Sequence, residues 1–170
     1  MVYDGQTDYI PDKDFKVEDE KIKYQKVSIE VFLATPYLRF TIREKIIQIL
    51  STISDEFYNI KLLPDESIAS GDFQSKIKEF IWDSKVFIAD LTGLNPNVIF
   101  ELGLASGLGK EILLITQEDT TIPFDLAGNL FIVYDPSNID ELNLLMNNWF
   151  HSYFQKIRKE VGEDSAQKGL

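Results

Sequence analysis

Glu101 is a carboxylate set among apolar side chains, and it is the first candidate for chemistry in this sequence. The apolar run 98–100 precedes it and Leu102 follows it. Removing an ionised carboxylate from water without a partner costs free energy, so we expect Glu101 to face a cleft. Asn97 lies four residues earlier and would share its face of a helix, so the two form a polar strip. A solvated helix residue with no chemical role is the simpler alternative for Glu101.

Asp90 is the second candidate, because it ends an apolar run and is followed by a Thr-Gly turn. Its carboxylate could position a hydroxyl group or a water molecule, or it could only cap the turn. Asn95 precedes Pro96, a residue suited to the first position of a helix. Asn95 could therefore cap that helix or contact a ligand.

Metal, cofactor and thiol chemistry are not expected from the remaining residues. The chain has no cysteine, and its one histidine, His151, lies in an aromatic stretch typical of a core or a dimer surface. Gly103 and Gly109 precede Lys110 with five residues between them, where a phosphate loop needs four, and Glu111 replaces the required serine or threonine. These glycines end a predicted helix, whereas the dinucleotide fingerprint begins one. We therefore predict no metal site and no cofactor.

The candidate residues lie on one predicted βαβ unit between Val86 and Ile115. The apolar run that ends at Ala89 predicts a strand buried on both faces. The segment after Pro96 predicts a helix that stops at two glycines, and the apolar run 112–115 predicts the next strand. Ligands of open α/β sheets bind at the carboxyl edge of the strands, which is where the polar residues of this unit would lie.

The rest of the chain alternates in the same way between strands and helices. The predicted elements are a strand from Ser28 to Thr35, a helix over 39–54, a strand over 57–63, a helix over 73–82, a strand over 129–134, and a helix from Ser137 or Asn138 to about Lys159. They predict an α/β fold with a doubly wound, flavodoxin- or Rossmann-like parallel sheet of five strands, in the order 2-1-3-4-5 with helices on both faces. In this order the switch point brings the segment 35–37 beside Asp90 and Thr92.

One domain is predicted over residues 27–160. Residues 1–26 form a polar, acid-rich arm, and residues 161–170 form a frayed tail. The loop over 64–72 follows the second strand at its carboxyl end, so we expect it to be a mobile lid or specificity loop.

The charge and hydropathy of the chain disfavour several classes of partner. The formal net charge of −11 opposes binding to a nucleic-acid backbone, which needs clustered lysine and arginine. No apolar run approaches the length of a membrane span, and the first residues lack the basic and apolar regions of a signal peptide. We therefore expect a cytoplasmic protein with no nucleic-acid partner and no membrane partner.

The segment Asn95–Ala105 reads NPNVIFELGLA, and Gly109 and Lys110 follow it shortly before an apolar strand. This pattern resembles the nucleoside 2-deoxyribosyltransferase-like superfamily, in which a Glu-Leu-Gly-x-Ala segment carries the catalytic glutamate. Three further segments are similar to members of that superfamily: Phe32–Tyr37, Asp90–Gly93 and Ile122–Leu126. The resemblance covers residues 28–135.

The resemblance implies cleavage of an N-glycosidic bond in a nucleoside or nucleotide, by hydrolysis or by transfer. Glu101 would be the nucleophile or the stabiliser of the cationic sugar, and Asp90 would position a ribose hydroxyl or a water. The residues that would bind the substrate are Thr35, Pro36, Tyr37, Thr92, Asn95 and Asn97, with Ser70 and Gly71 placed to hold a phosphate near the start of a helix. A homodimer or a higher homo-oligomer is also implied, because relatives often complete their sites with a neighbouring subunit.

Two alternatives stay open. The related TIR-type NAD hydrolases share an Asn-Val-x-x-Glu-Leu-Gly-like segment, so the chain could act on NAD as a substrate in defence or signalling. It could also be a non-catalytic module that binds a nucleotide signal. The segment 75–79, SKIKE, lacks the aspartate that serves the leaving base in deoxyribosyltransferases, and this departure favours hydrolysis over transfer.

Overall fold

The computed structural model describes residues 26–36, 40–63, 73–123, 126, 128 and 130–167. The predicted arm up to residue 25, the loop over 64–72 with Ser70 and Gly71, and Tyr37 lie outside these residues. The described residues form five strands and four helices. In chain order these are β1 (Val27–Ala34), α1 (Phe40–Thr52), β2 (Tyr58–Leu63), α2 (Phe73–Asp83), β3 (Val86–Asp90), α3 (Pro96–Gly107), β4 (Glu111–Gln117), β5 (Phe131–Tyr134) and α4 (Ile139–Gln167).

The strands form one parallel sheet in the order β2-β1-β3-β4-β5, so the predicted fold class and strand order are confirmed. β1 and β3 are neighbours, with Ala34 opposite Ala89. The chain leaves β1 toward one edge of the sheet and later crosses back to add β3, β4 and β5 toward the other. The switch point therefore lies between the carboxyl ends of β1 and β3.

Side chains alternate along β3 between two apolar layers. Val86 and Ile88 belong to the layer that contains α1 and α4, whereas Phe87 and Ala89 belong to the layer that contains α2 and α3. We call these the α1/α4 layer and the α2/α3 layer. Because both layers are apolar, the strand between them must be apolar on both faces, which accounts for the unbroken run in the sequence.

Helix α3 begins at a cap that the sequence predicts. The side-chain oxygen of Asn95 accepts a hydrogen bond from the backbone N–H of Asn97 at 2.9 Å, and Pro96 takes the first helical position. Proline has no N–H to leave unsatisfied there, and the asparagine satisfies one of the free donors of the first turn. Of the two roles open to Asn95, the structure shows the helix cap.

The same helix ends in a Schellman motif. The N–H of Gly109 donates to the carbonyl of Ser106, and the N–H of Lys110 donates to the carbonyl of Ala105. Gly109 has a φ of 66°, a left-handed conformation that a side chain disfavours. The glycines that resemble a phosphate loop in the sequence therefore stop a helix.

Lys110 has a structural role at the end of the neighbouring helix α2. Its Nζ donates to the carbonyl oxygens of Trp82 and, at 2.8 Å, of Ser84. A cation placed on the free carbonyls at a helix C-terminus is favourable for the helix dipole. Burial, followed by the nearby charge of Lys85, lowers the pKa of Lys110.

The last helix is longer than the sequence suggests. Asn138 caps α4 as predicted, because its Nδ2 donates to Glu141 at 2.9 Å and its Oδ1 accepts from the N–H of Glu141 at 3.4 Å. The prediction that the helix ends near Lys159 was wrong, since it continues to Gln167. The segment 160–167 contains no proline, and its single glycine, Gly162, is a weak stop signal. Among the helices that the structure describes, none combines the length and apolarity needed to cross a membrane.

We predict opposite effects for two glycine substitutions at the end of α3. Gly109→Ala should lower the free energy of unfolding by about 1 kcal/mol, because alanine must adopt a positive φ. Gly107→Ala should raise it by about 0.5–1 kcal/mol, because that residue is helical and a Cβ would meet no atom within 4 Å. Urea unfolding of the two variants and the natural protein measures both changes. Equal destabilisation by the two substitutions would contradict the Schellman assignment.

Candidate active site

Glu101 lies in the second turn of α3, on the flank that faces away from β4 and β5. Ile99 and Gly103 line a cleft against β4, and each is two residues from Glu101. Residues that are two positions apart on an α-helix point in directions about 200° apart. Glu101 therefore points to the other flank, toward α2 and the β1 side of the sheet. It stands about 7–8 Å along the helix from Pro96. The carboxylate is therefore near the switch point between β1 and β3.

Burial dominates the electrostatics of Glu101. Its side chain is half-buried, and this burial raises the pKa from its ordinary value of 4.5 to about 7. Burial alone accounts for the raised pKa of Glu101, with no opposing contribution from a hydrogen bond or a nearby cation. A carboxylate in such an environment is costly to ionise, and this property is frequent in catalytic acids, bases and nucleophiles.

Three of the predicted substrate-binding residues lie on the same side of the molecule as Glu101. Thr35 and Pro36 are half-buried and follow directly after β1, which is next to β3 in the sheet. Asn97 is exposed and shares the flank of Glu101, one turn nearer the helix start. The polar strip of Asn97 and Glu101 predicted from the sequence is therefore present on α3.

Asp90 lies at the centre of a buried hydrogen-bond network. Its Oδ1 accepts from the N–H of Thr92 at 3.1 Å and from the Thr92 hydroxyl at 2.6 Å. Its Oδ2 accepts from the hydroxyl of Tyr134 at 3.3 Å. The Thr92 hydroxyl also accepts from the N–H of Gln117 at 3.0 Å. The network thus joins the carboxyl ends of β3, β4 and β5.

The structure does not bring Asp90 and Glu101 together. Asp90 is on the same face of β3 as Val86 and Ile88, because it is an even number of residues from both. Its partner Tyr134 belongs to the α1/α4 layer, whereas α3 lies in the α2/α3 layer. The two carboxylates are therefore on opposite faces of the sheet. Asp90 is also fully buried. A catalytic role for Asp90 stays a prediction without geometric support, and the carboxylate caps the turn after β3, which is the alternative that the sequence leaves open.

The turn that follows Asp90 has an unusual backbone. Leu91 accepts a hydrogen bond from the N–H of Leu94 at 2.9 Å. Gly93 and Leu94 have φ values of 71° and 49°, so two successive residues are left-handed. For a leucine this conformation costs about 1–2 kcal/mol, and it persists only where the surrounding structure enforces it. The next residue, Asn95, already caps α3, so this turn sets where the helix starts.

Among the described residues, one cavity lies against the far side of α3 from Glu101, and another lies beyond the strands β3 and β4. The larger, of about 750 Å³, is an apolar cleft between α3 and β4. The smaller, of about 340 Å³, lies at the ends of β3 and β4 and is lined by Thr92, Gln117 and Asp119. Leu94 lines both. Because the cleft faces away from the ionisable residue with a raised pKa, its size does not make it the site of chemistry, and we place the candidate site at Glu101.

Tyr134 is the residue of this region that sequence reasoning missed. It is 2% exposed and ends β5, so in the sequence it is indistinguishable from a packing aromatic. A buried phenol needs a hydrogen-bond partner, and that requirement is the only signal that could have singled it out. No group of three or more histidine, cysteine or acidic residues in the described ranges could hold a metal ion.

Comparisons with known proteins bear on the fold. No protein-family model matches the chain, and a search of curated proteins finds no match either. The solved CMP N-glycosidase BcmB of Clostridium botulinum is similar, with a TM-score of 0.53 and 22% sequence identity over 71% of this chain and 98% of that one. A 2-deoxyribosyltransferase of Bacillus psychrosaccharolyticus has a TM-score of 0.47 and 17% identity over 65% of this chain and 95% of that one. At 22% identity this likeness to the CMP N-glycosidase shows a shared fold, in agreement with the α/β fold expected from the sequence.

We predict that Glu101→Gln stabilises the protein at pH 8 by about 2 kcal/mol and changes little at pH 5. Between its ordinary pKa of 4.5 and the folded value of about 7, the folded protein binds more protons at Glu101 than the unfolded chain, so stability falls as pH rises through this window. The full shift corresponds to about 3 kcal/mol, which partial exposure reduces. Urea unfolding at both pH values measures the effect.

The matched control for this measurement is Glu118→Gln, because Glu118 is an exposed glutamate outside the site. It should change stability by the same small amount at both pH values. A Glu101→Gln effect that is equal at pH 5 and pH 8 would contradict the assignment of burial as the cause.

Proposed function

We propose that this protein cleaves the N-glycosidic bond of a nucleoside or nucleotide, with Glu101 as the carboxylate that acts on the sugar. The observation that supports the proposal is the half-burial of Glu101, which raises its pKa to about 7, beside the switch point of the sheet. The fold shared with a CMP N-glycosidase is consistent with this chemistry. Ligands of doubly wound sheets bind at this same edge.

The reaction needs a single well-placed carboxylate. When the bond between C1′ and the base nitrogen breaks, the electron pair leaves with the base, and positive charge develops on C1′ and the ring oxygen. Glu101 either forms a covalent bond to C1′ or stabilises this charge from below. Water then adds its hydroxyl to C1′, displacing the Glu101 carboxylate where a covalent bond has formed, and its proton is taken up by the base. The products are the free base and the sugar or, from a nucleotide, the sugar phosphate.

Partial burial makes the carboxylate effective in this role. A poorly hydrated anion interacts more strongly with a developing cation, because less water competes for it. The environment that makes Glu101 costly to ionise in the free protein therefore favours the charged pair in the transition state. Asn97, on the same flank one turn earlier, can donate its amide to a sugar hydroxyl or to Glu101.

Hydrolysis is the form of the reaction that we propose. The segment 75–79 supplies no aspartate to serve a leaving or entering base, and water needs none. A nucleotide is as suitable as a nucleoside, since the neighbour of known structure is described as acting on CMP. The net charge of −11 disfavours highly charged anions at long range, so we expect nucleosides and monophosphates to be better substrates than polyphosphates.

Incubation with a mixed panel tests the proposal. Purified protein is incubated with CMP, other ribonucleoside and deoxyribonucleoside monophosphates, the free nucleosides and NAD, and the products are separated by chromatography. We expect release of a free base, and we expect Glu101→Gln to lower kcat by about 100- to 1,000-fold, the range typical for removing one stabiliser of transition-state charge. Glu118→Gln serves as the control and should keep the full rate.

Each outcome of the panel decides between the candidate functions. Release of nicotinamide from NAD alone would assign the TIR-like alternative. Binding of a nucleotide with no turnover, in a protein shown to be folded, would assign the sensor alternative. Turnover that survives Glu101→Gln would show that another residue carries the reaction.

The pH dependence gives a second, independent prediction. Because the proposed mechanism uses ionised Glu101, kcat/KM should rise with pH through the pKa of about 7 and level off above it. A profile measured from pH 5 to pH 9 on the best substrate of the panel checks this. A rate that falls as pH rises through 7 would instead indicate that protonated Glu101 acts as a general acid.

A further inference from the structure

We propose that the hydroxyl of Tyr134, acting through Asp90 and Thr92, is a positioning group for Glu101. The inference rests on the proposed function for the role of Glu101, but the chain of contacts behind it does not. It assigns a functional role to a residue on the opposite face of the sheet from the candidate site. It also gives Asp90 a positioning role, which is compatible with its complete burial on the face of the sheet opposite to α3.

The first link joins β5 to β3. The Tyr134 hydroxyl donates to Asp90 Oδ2 at 3.3 Å, and both residues are fully buried or nearly so. In the α1/α4 layer the phenol ring packs among apolar side chains. At 3.3 Å this contact is longer than a typical O–H···O hydrogen bond, but packing holds the phenol ring that carries the hydroxyl, so the hydroxyl restricts the orientation of the carboxylate.

The second link joins that carboxylate to the turn. The other oxygen, Asp90 Oδ1, accepts from both the N–H and the hydroxyl of Thr92. With Oδ2 held by Tyr134, the plane of the carboxylate is set, and with it the position of Thr92. The Thr92 hydroxyl is fixed a second time because it accepts from the N–H of Gln117 on β4.

The third link joins the turn to the helix that carries Glu101. Thr92 occupies the second position of the turn closed by the hydrogen bond from Leu94 to Leu91. Gly93 and Leu94 are both left-handed, a conformation that relaxes unless its neighbours hold it. Asn95 follows at once as the cap of α3. A rotation within the turn would therefore shift the start of the helix and displace Glu101.

Such a displacement matters more for catalysis than for folding. A misplacement of about 1 Å in a reacting group can cost about 100-fold in rate, even when the substrate still binds. The described core of the two layers does not depend on the Tyr134 hydroxyl, because the ring packs without it. Loss of the hydroxyl should therefore leave a folded protein in which Glu101 is less well placed.

The test removes single hydroxyl groups and observes Glu101 directly. The variants are Tyr134→Phe, which keeps the ring, and Thr92→Val, which keeps the shape of threonine. Glu101 is followed by NMR titration of its side-chain carboxyl carbon in the full-length protein without substrate. We expect the titration midpoint to fall toward the ordinary glutamate value in both variants, because a displaced side chain is better hydrated.

Two further variants serve as matched controls. Thr92→Ser restores the hydroxyl and should restore the midpoint of the natural protein. Tyr153→Phe removes the hydroxyl of another partly buried tyrosine, which stacks on Trp149 in α4 and lies outside the network. It should leave the midpoint unchanged. Circular dichroism and thermal unfolding establish that each variant is folded at the temperature of the titration.

Kinetics provide the functional readout. With the best substrate of the panel, Tyr134→Phe and Thr92→Val should lower kcat about 10-fold or more with KM nearly unchanged, since a positioning group acts on the chemical step. A Glu101 midpoint and a kcat equal to those of the natural protein in both variants would overturn the inference and leave Tyr134 a packing residue. If no substrate is turned over, the titration alone decides it, so a failure of the proposed function is distinguished from a failure of the positioning role.

Discussion

The burial of one carboxylate, Asp90, constrains the geometry around the candidate site. A carboxyl group that is withdrawn from water must be satisfied by hydrogen bonds, or its burial costs free energy. In this protein the donors come from the residue two positions later and from a strand 44 residues away. The chain must therefore turn tightly directly after β3, and it does so through two left-handed residues. The burial of Asp90 in the α1/α4 layer thus determines where α3, in the α2/α3 layer, begins.

Much of this architecture is encoded locally and could be predicted from the sequence. The apolar run of β3, the Asn-Pro start of α3 and its glycine stop are each decided by a few neighbouring residues, and the structure confirms all three. The strand order follows from the alternation of elements and from the handedness of parallel crossovers. The end of α4 was missed because no strong stop signal lies near Lys159, and a long helix without one ends where packing allows.

The site was harder to predict, for reasons of geometry. Alternation along β3 places Asp90 on the face opposite to Ala89, but the sequence does not say which face α3 covers. Asp90 and Glu101 were therefore assigned to one site, whereas the sheet separates them. Tyr134 was missed because its partner is distant in the chain and a tyrosine at the end of an apolar strand resembles packing. Glu101 could be identified because a lone carboxylate within an apolar helical segment conflicts with the local pattern, and such conflicts are frequent at functional sites.

The exposed apolar side chains at the β5 edge of the sheet affect how readily molecules of this protein associate. Leu130 is 95% exposed and Val133 is 46% exposed, so apolar side chains lie beside a short edge strand. Exposed edges of this kind promote association between molecules, and repulsion between like charges is one way in which proteins oppose it. The net charge of −11 supplies that repulsion at neutral pH, and it vanishes near the isoelectric point of about 4.5. Mild acidification should therefore cause precipitation at concentrations where the protein stays dispersed at neutral pH, and low salt should favour dispersion by lengthening the range of the repulsion.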